Sequence, residues 1–344
     1  MDKAAERICY YLKNIINIES PSGYTKEVIH YIEEELNKFN IPYSITNKGA
    51  LIATLKGEDD ENQITFSAHV DTLGGMVKGI KADGKLSLVL VGGYMLNSIE
   101  GENCIIKTSA GKSYSGTVQT CKPSVHISGD EARELKRTAD NMEVVLDEKV
   151  FSKEDVEKLG IEVGDFICMD PRFNITASGF VKSRYLDDKA SVAVLLYSME
   201  YLKENSLKLK STINFYISNY EEVGHGARAA LPVNTKEFIS VDMGAPGLTQ
   251  NSSEYAVCIC AKDSSGPYDY ELKNKLVNIC KDKSIPYKID IYPYYSSDAS
   301  AAVSAGWDIR TGLIGPGVFA SHGYERTHMD SLCATKDLVI NYCI

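Results

Sequence analysis

Two stretches near the start of the chain place apolar residues at helical spacing. One runs from about Asp2 to Ile18, with Ile8, Leu12 and Ile15 on a common face; the other runs from about Thr25 to Phe39, with Val28, Ile32 and Leu36. Both patterns predict amphipathic helices. Ser20-Pro21-Ser22-Gly23 between them reads as a turn, and residues 42–55 read as short strands. The run Gln63-Ile64-Thr65-Phe66-Ser67-Ala68-His69-Val70-Asp71 predicts a buried strand.

From there to about Ser178 the pattern changes. Short β-rich runs alternate with glycine turns, as at Gly79 to Gly84 and Gly111 to Gly116. Such spacing predicts a small β-barrel or sandwich, interrupted by one acidic helix near 152–159. Residues 75–178 thus form an inserted domain, and 1–74 with 179–344 form the domain it splits. Beyond the insertion a long helix is expected from about 188 to 205. Strands are expected at 212–219, 238–242, 256–261, 287–292 and 310–314. Helices are expected after Gly226, at 268–282, at 297–304 and near the C-terminus. This alternation predicts an α/β fold, a mostly parallel sheet with helices on both faces.

Composition narrows the function classes. The chain has 344 residues, 44% hydrophobic and 24% charged, as in an ordinary globular protein. No apolar run reaches the roughly 20 residues of a membrane helix. The first residues lack a signal-peptide core, so a cytoplasmic protein is expected. A net charge of -10 argues against nucleic-acid or anionic-membrane partners. The nine cysteines are scattered without a C-x-x-C, which predicts reduced thiols, and Cys258 and Cys260 alternate so as to share a packed face.

Open α/β sheets place ligands at the carboxyl ends of their strands. Metal-ligand residue types recur at those ends here. His69-Val70-Asp71 puts two side chains on one side of a strand, so His69 can bind a metal while Asp71 orients its ring. After the 212–219 strand come Glu221-Glu222, of which one can bind a metal and the other move a proton; buried neighbouring carboxylates call for positive charge between them. Asp242 ends another strand. Asp187-Asp188 opens the long helix, where one Asp can bridge two metals and the other cap the helix. His322 and His328 fall in one stretch with Glu325 and Asp330. Imidazole and carboxylate without thiolate suit zinc, cobalt or manganese. A bridging carboxylate with further ligands per ion is the layout of a two-metal hydrolase, with ions roughly 3.5–4 Å apart.

These motifs resemble the tetrahedral, TET-type aminopeptidases of metallopeptidase family forty-two, whose relatives carry deblocking, glutamyl aminopeptidase and endoglucanase labels. The similarity is carried by Ala68-His69-Val70-Asp71-Thr72-Leu73-Gly74, Leu186-Asp187-Asp188-Lys189 and Glu221-Glu222-Val223-Gly224-His225-Gly226-Ala227. It implies a zinc-exopeptidase-like fold with an inserted β-barrel used in assembly. It implies two divalent ions per subunit, zinc or cobalt before manganese, and peptide substrates cut at the N-terminus. His69 and Asp242 would bind one ion, Glu222 and a C-terminal histidine the other, and Asp187 would bridge them. Glu221 would be the general base, with Asp71 supporting His69. His328 is taken as the last ligand because it lies the better distance from the closing Asp337 segment; His322 and Asp298 are then candidate substrate contacts. A hollow tetrahedral homododecamer is also implied. Here Asp188-Lys189 and Thr327-His328-Met329-Asp330-Ser331 depart from the family's usual residues. A carboxypeptidase or N-acyl deacylase on the same ligands, or an inactive peptide-binding assembly protein, remains an alternative.

Overall fold

The computed structural model describes residues 3–344. The expected helix start at Asp2 therefore lies outside the described residues. Contacts divide the chain into two compact units, one running to Thr72 and resuming at Arg172, the other spanning Leu73–Pro171.

The first unit is built on an eight-stranded sheet. Its strands lie in the order Tyr43–Ile45, Leu51–Leu55, Ser211–Ser218, Asp59–His69, Thr235–Val241, Arg310–Pro316, Val257–Lys262 and Tyr287–Ile291. The four central strands run parallel to one another. Their sequences read as near-continuous apolar runs because both faces are covered; Ile213, Phe215, Tyr216 and Ile217 are all fully buried. The Leu186–Glu204 helix buries residues almost all round, as its unbroken Val192-Ala193-Val194-Leu195-Leu196 core demands. The Lys3–Ile16 helix buries Ala4, Ile8, Leu12 and Ile15 along one stripe. Residue Ser218 pairs with His69 in the parallel register, so these strands end at one rim.

Three local features differ from the sequence pattern. No helix follows Gly226: Ala230 sits at φ 63 and Pro232 follows, so the segment turns into the Thr235–Val241 strand instead. The Asn174–Ile175 segment pairs with Phe180–Ser183, so residues 172–178 join the first unit rather than the insertion. The Glu325–His328 strand, which the pattern did not indicate, completes that three-stranded sheet.

The second unit is a closed barrel of six antiparallel strands, Gly74–Ile80, Leu86–Val91, Met142–Leu146, Ser113–Thr120, Asn103–Lys107 and Phe166–Met169 in spatial order. Alternate residues such as Val77, Leu88, Ile106, Val118, Val144 and Ile167 fill its core. The acidic helix Lys153–Leu159 is capped by Ser152, which accepts from Asp155 N, and stops at Gly160 in the left-handed region. Among the described residues no cysteine forms a disulfide, and Cys258 and Cys260 are both buried. Among the described residues no helix is long and apolar enough to cross a membrane.

Candidate active site

The sheet rim gathers ionisable side chains from distant parts of the chain. His69 ends its strand, Asp242 follows the Thr235–Val241 strand, Glu221 and Glu222 follow the Ser211–Ser218 strand, and Asp187 stands at the start of the long helix. Two groups have donor atoms within 4.8 Å of one another: His69 with Asp187 and Asp242, and Asp187 with Glu222 and His322. Asp187 belongs to both. Its Oδ1 lies 3.4 Å from His69 Nε2, and its Oδ2 lies 3.5 Å from His322 Nε2. His322 Nε2 is 3.5 Å from Glu222 Oε2.

The tautomer of His69 follows from its surroundings. Its Nδ1 lies 2.9 Å from the Asp71 carbonyl oxygen, which only accepts, so Nδ1 carries a hydrogen and Nε2 is the nitrogen that faces the cluster. The Asp71 carboxylate lies 3.6 Å from His69 Nδ1 and also holds other groups. It accepts from the backbone N–H of Glu221 (3.1 Å) and Glu222 (3.3 Å) and from Ser22 Oγ (2.5 Å). Asp71 thus anchors the histidine with its backbone and the glutamate turn with its side chain. The far end of that turn is held by Lys48, whose ammonium donates to the carbonyls of His225 and Gly226. Gly226 has no room for a side chain, since a Cβ there would meet Asp298 Oδ1 at 2.3 Å.

Four carboxylates in a dry site with two imidazoles distort one another's proton affinities. Burial, reinforced by the charge of Asp187, pushes Glu222 up to about 8 and Asp242 up to about 7. Burial likewise raises Glu221 well above its ordinary value, against the pull of His69. Asp187 moves the other way: burial would raise it, but hydrogen bonds and charge from His322 and His69 hold it well below the carboxylate range. Burial opposes the charged form of His69, yet Asp187 and Glu221 raise its affinity for a proton. Sites that need a cation show this pattern. Glu222 Oε1 and Asp242 Oδ1 are also buried without a hydrogen-bond partner among the described residues. An orphaned carboxylate oxygen and an imidazole nitrogen in each of the two groups fit metal binding.

The family model described as M42 glutamyl aminopeptidase matches residues 49–338. YhfE of Bacillus subtilis (strain 168) is 51% identical over 331 residues, covering 96% of this chain and 95% of that protein. The chain belongs to the M42 aminopeptidase family. Its fold is also that of a TET aminopeptidase from a marine-sediment Thaumarchaeota archaeon, at a TM-score of 0.89 and 20% identity, covering 98% of this chain and 96% of that one. The TET1 peptidase of Pyrococcus horikoshii, described as assembling into a tetrahedron or a large octahedral shell, superposes with a TM-score of 0.85 at 24% identity, over 98% and 99% of the two chains.

In this M42 chain the structure brings together His69, Asp187, Glu221, Glu222, Asp242 and His322. It does not bring His328. That residue stands between the rings of Phe180 and Tyr255, each 5.0 Å away, with Nε2 2.8 Å from the Ser178 carbonyl and Nδ1 accepting from Asp330 N as the cap of the last helix. The place expected for His328 is filled by His322. Asp298 borders a polar cleft of about 310 Å³ that opens beside Glu221 and Arg228. Its oxygens are engaged by Ala227 N and Ser67 Oγ, so it braces the glycine turn. Asp188, expected as a helix cap, accepts from His69 N.

Three contributors had no signal in the sequence. Tyr295 hydrogen-bonds Asp242 from a loop. Lys48 comes from the hairpin that follows the second helix. Glu325 stands in the same stretch as the two histidines, but nothing in the spacing says it points inward.

Proposed function

We propose that this M42 chain is a metal-dependent aminopeptidase that removes N-terminal residues from peptides, with Glu221 as general base. The observation that carries it is the placement of Asp187, one buried carboxylate whose two oxygens face two separate donor groups. His69 and Asp242 would complete one ion's ligands, and Glu222 and His322 the other's, so His322 replaces His328 in the ligand set. The donor chemistry suits zinc, cobalt or manganese. Bound there, two divalent ions would supply Lewis acidity toward a scissile carbonyl and toward water.

The chain's own residues handle the proton. Glu221 Oε2 lies 3.6 Å from His69 Nε2, in reach of the space between the groups. Its carboxylate would accept a proton from the attacking water and deliver it to the leaving amine nitrogen as the C–N bond breaks. Asp71 and Lys48 keep the turn that carries Glu221 from drifting. The polar cleft beside Glu221 offers space for the side chain of the residue released. By likeness to the TET1 peptidase, the working form is a tetrahedral homododecamer in the cytoplasm, with the barrel contributing to assembly. Sedimentation as a single 37.9 kDa chain would sink that part.

The test uses protein stripped by a chelator and a panel of aminoacyl-p-nitroanilides with zinc, cobalt or manganese restored. p-Nitroaniline should be released only when a metal is present, and N-acetylated analogues should be inert. Full activity in stripped protein overturns the metal dependence. Turnover restricted to the acetylated series would identify a deacylase.

A further inference from the structure

We infer that Glu325 is a positioning residue that sets the His322 half of the site and controls whether that half holds a divalent cation. The inference rests on the metal dependence proposed above. Glu325 opens the short Glu325–His328 strand and is only 2% exposed. Its Oε2 accepts from the backbone N–H of Asp187 at 3.1 Å, and its Oε1 accepts from the backbone N–H of His322 at 3.0 Å. The two residues it holds are the pair whose side chains meet at 3.5 Å. One carboxylate therefore ties together two residues that lie just beyond the pairing of Phe180–Ser183 with Glu325–His328, beside the Ser321 Oγ to Asp187 Oδ2 bond at 2.9 Å.

The need for such a tie follows from the local backbone. His322 sits at φ 64, two residues after Ala320 at φ 59, in a turn closed by Gly323 N on the Ala320 carbonyl at 2.9 Å. Non-glycine residues in the left-handed region persist only where their surroundings hold them. Asp187 is likewise non-helical, at φ -78 and ψ 100. The other half of the site is anchored differently. His69 ends a strand paired on both sides, with its N–H on Asp188, and Asp242 N donates to the Ile314 carbonyl at 2.8 Å. Loss of Glu325 should thus loosen His322 from Asp187 while leaving His69 and Asp242 in place. The outer partners of metal ligands set affinity in this way, typically by about 10–100-fold.

The experiment is calorimetric titration of chelator-stripped full-length protein with Zn²⁺, for wild type, Glu325→Ala, Glu325→Gln and Arg326→Ala. Wild type should take up two equivalents. Glu325→Ala should lose the second or weaken it about 10–100-fold, with the first, which shares Asp187 but keeps His69 and Asp242, weakened less. Glu325→Gln keeps the shape but turns an NH₂ group toward a backbone N–H, so it too should weaken the second equivalent, and it carries the test should the alanine variant not fold. Arg326→Ala, next to Glu325 on the same strand, removes a part-buried pair with Glu254 and should keep both equivalents. Two equivalents at wild-type affinity in both Glu325 variants, or equal loss in Arg326→Ala, overturn the role of Glu325. A wild-type protein that binds no cation overturns the metal dependence itself, and the role with it.

Discussion

The two halves of the site are built on different foundations. His69 and Asp242 stand at the ends of neighbouring parallel strands, where the ladder fixes the backbone and a buried face fixes the side chain. Glu222 and His322 come from turns, and their positions depend on side-chain carboxylates, Asp71 for the first and Glu325 for the second. A strand end receives its geometry from many cooperative hydrogen bonds. A turn receives it from one or two, so the turn-borne half is the more adjustable and the more easily lost.

The largest expected effect tests the proton carrier between the halves. Glu221→Gln should lower kcat by about 10²–10⁴-fold while metal uptake stays at the wild-type level; wild-type turnover in that variant removes Glu221 from the mechanism. Next comes the choice of histidine. His322→Ala should cost activity about 100-fold or more, since it deletes a donor where even outer partners cost about 10–100-fold. His328→Ala should act on stability, losing about 0.5–2 kcal/mol as a helix cap, with activity within a few-fold. Melting curves and kinetics on the two variants decide the matter, and a reversed pattern would restore His328 to the site.

The smallest effect is a dependence of stability on pH in stripped protein. Glu222 and Asp242 rise from ordinary values of 4.5 and 3.8 to about 8 and about 7 when folded. The folded state then binds more protons than the unfolded one between those limits, so stability falls as pH climbs through that window and is lowest above it. Asp187, shifted the opposite way, contributes stability that is lost only in strong acid. The melting temperature of stripped protein should therefore decline from about pH 5 to pH 9, and zinc should flatten the decline. A melting temperature that stays level or rises without metal would contradict the electrostatics described for the rim.

Much of this was legible in the chain before folding was considered. Period-3.6 stripes marked the opening helices, unbroken apolar runs marked the central strands, and glycine-punctuated alternation marked the barrel. His69 and Asp242 were readable because a strand end is itself a sequence signal. The segment after Gly226 looked helical because Ala227-Arg228-Ala229-Ala230 favours helix, but Ala230 takes the left-handed region and Pro232 follows, so no helix propagates. His328 looked like a ligand because spacing alone cannot tell a histidine that caps a helix from one that faces a metal.

The sequence by itself determined the opening helices, the central strands, the β-rich region and which residue types stand at the carboxyl ends of the strands, since these depend on local periodicity and on burial of continuous apolar runs. Only the tertiary structure decided which histidine reaches Asp187, what Asp71 and Asp298 hold, and that Glu325 ties Asp187 to His322. Those are hydrogen bonds between segments far apart in the chain. Their partners are chosen by how the sheet, the small three-stranded sheet and the turns come together in space, and no local pattern encodes that.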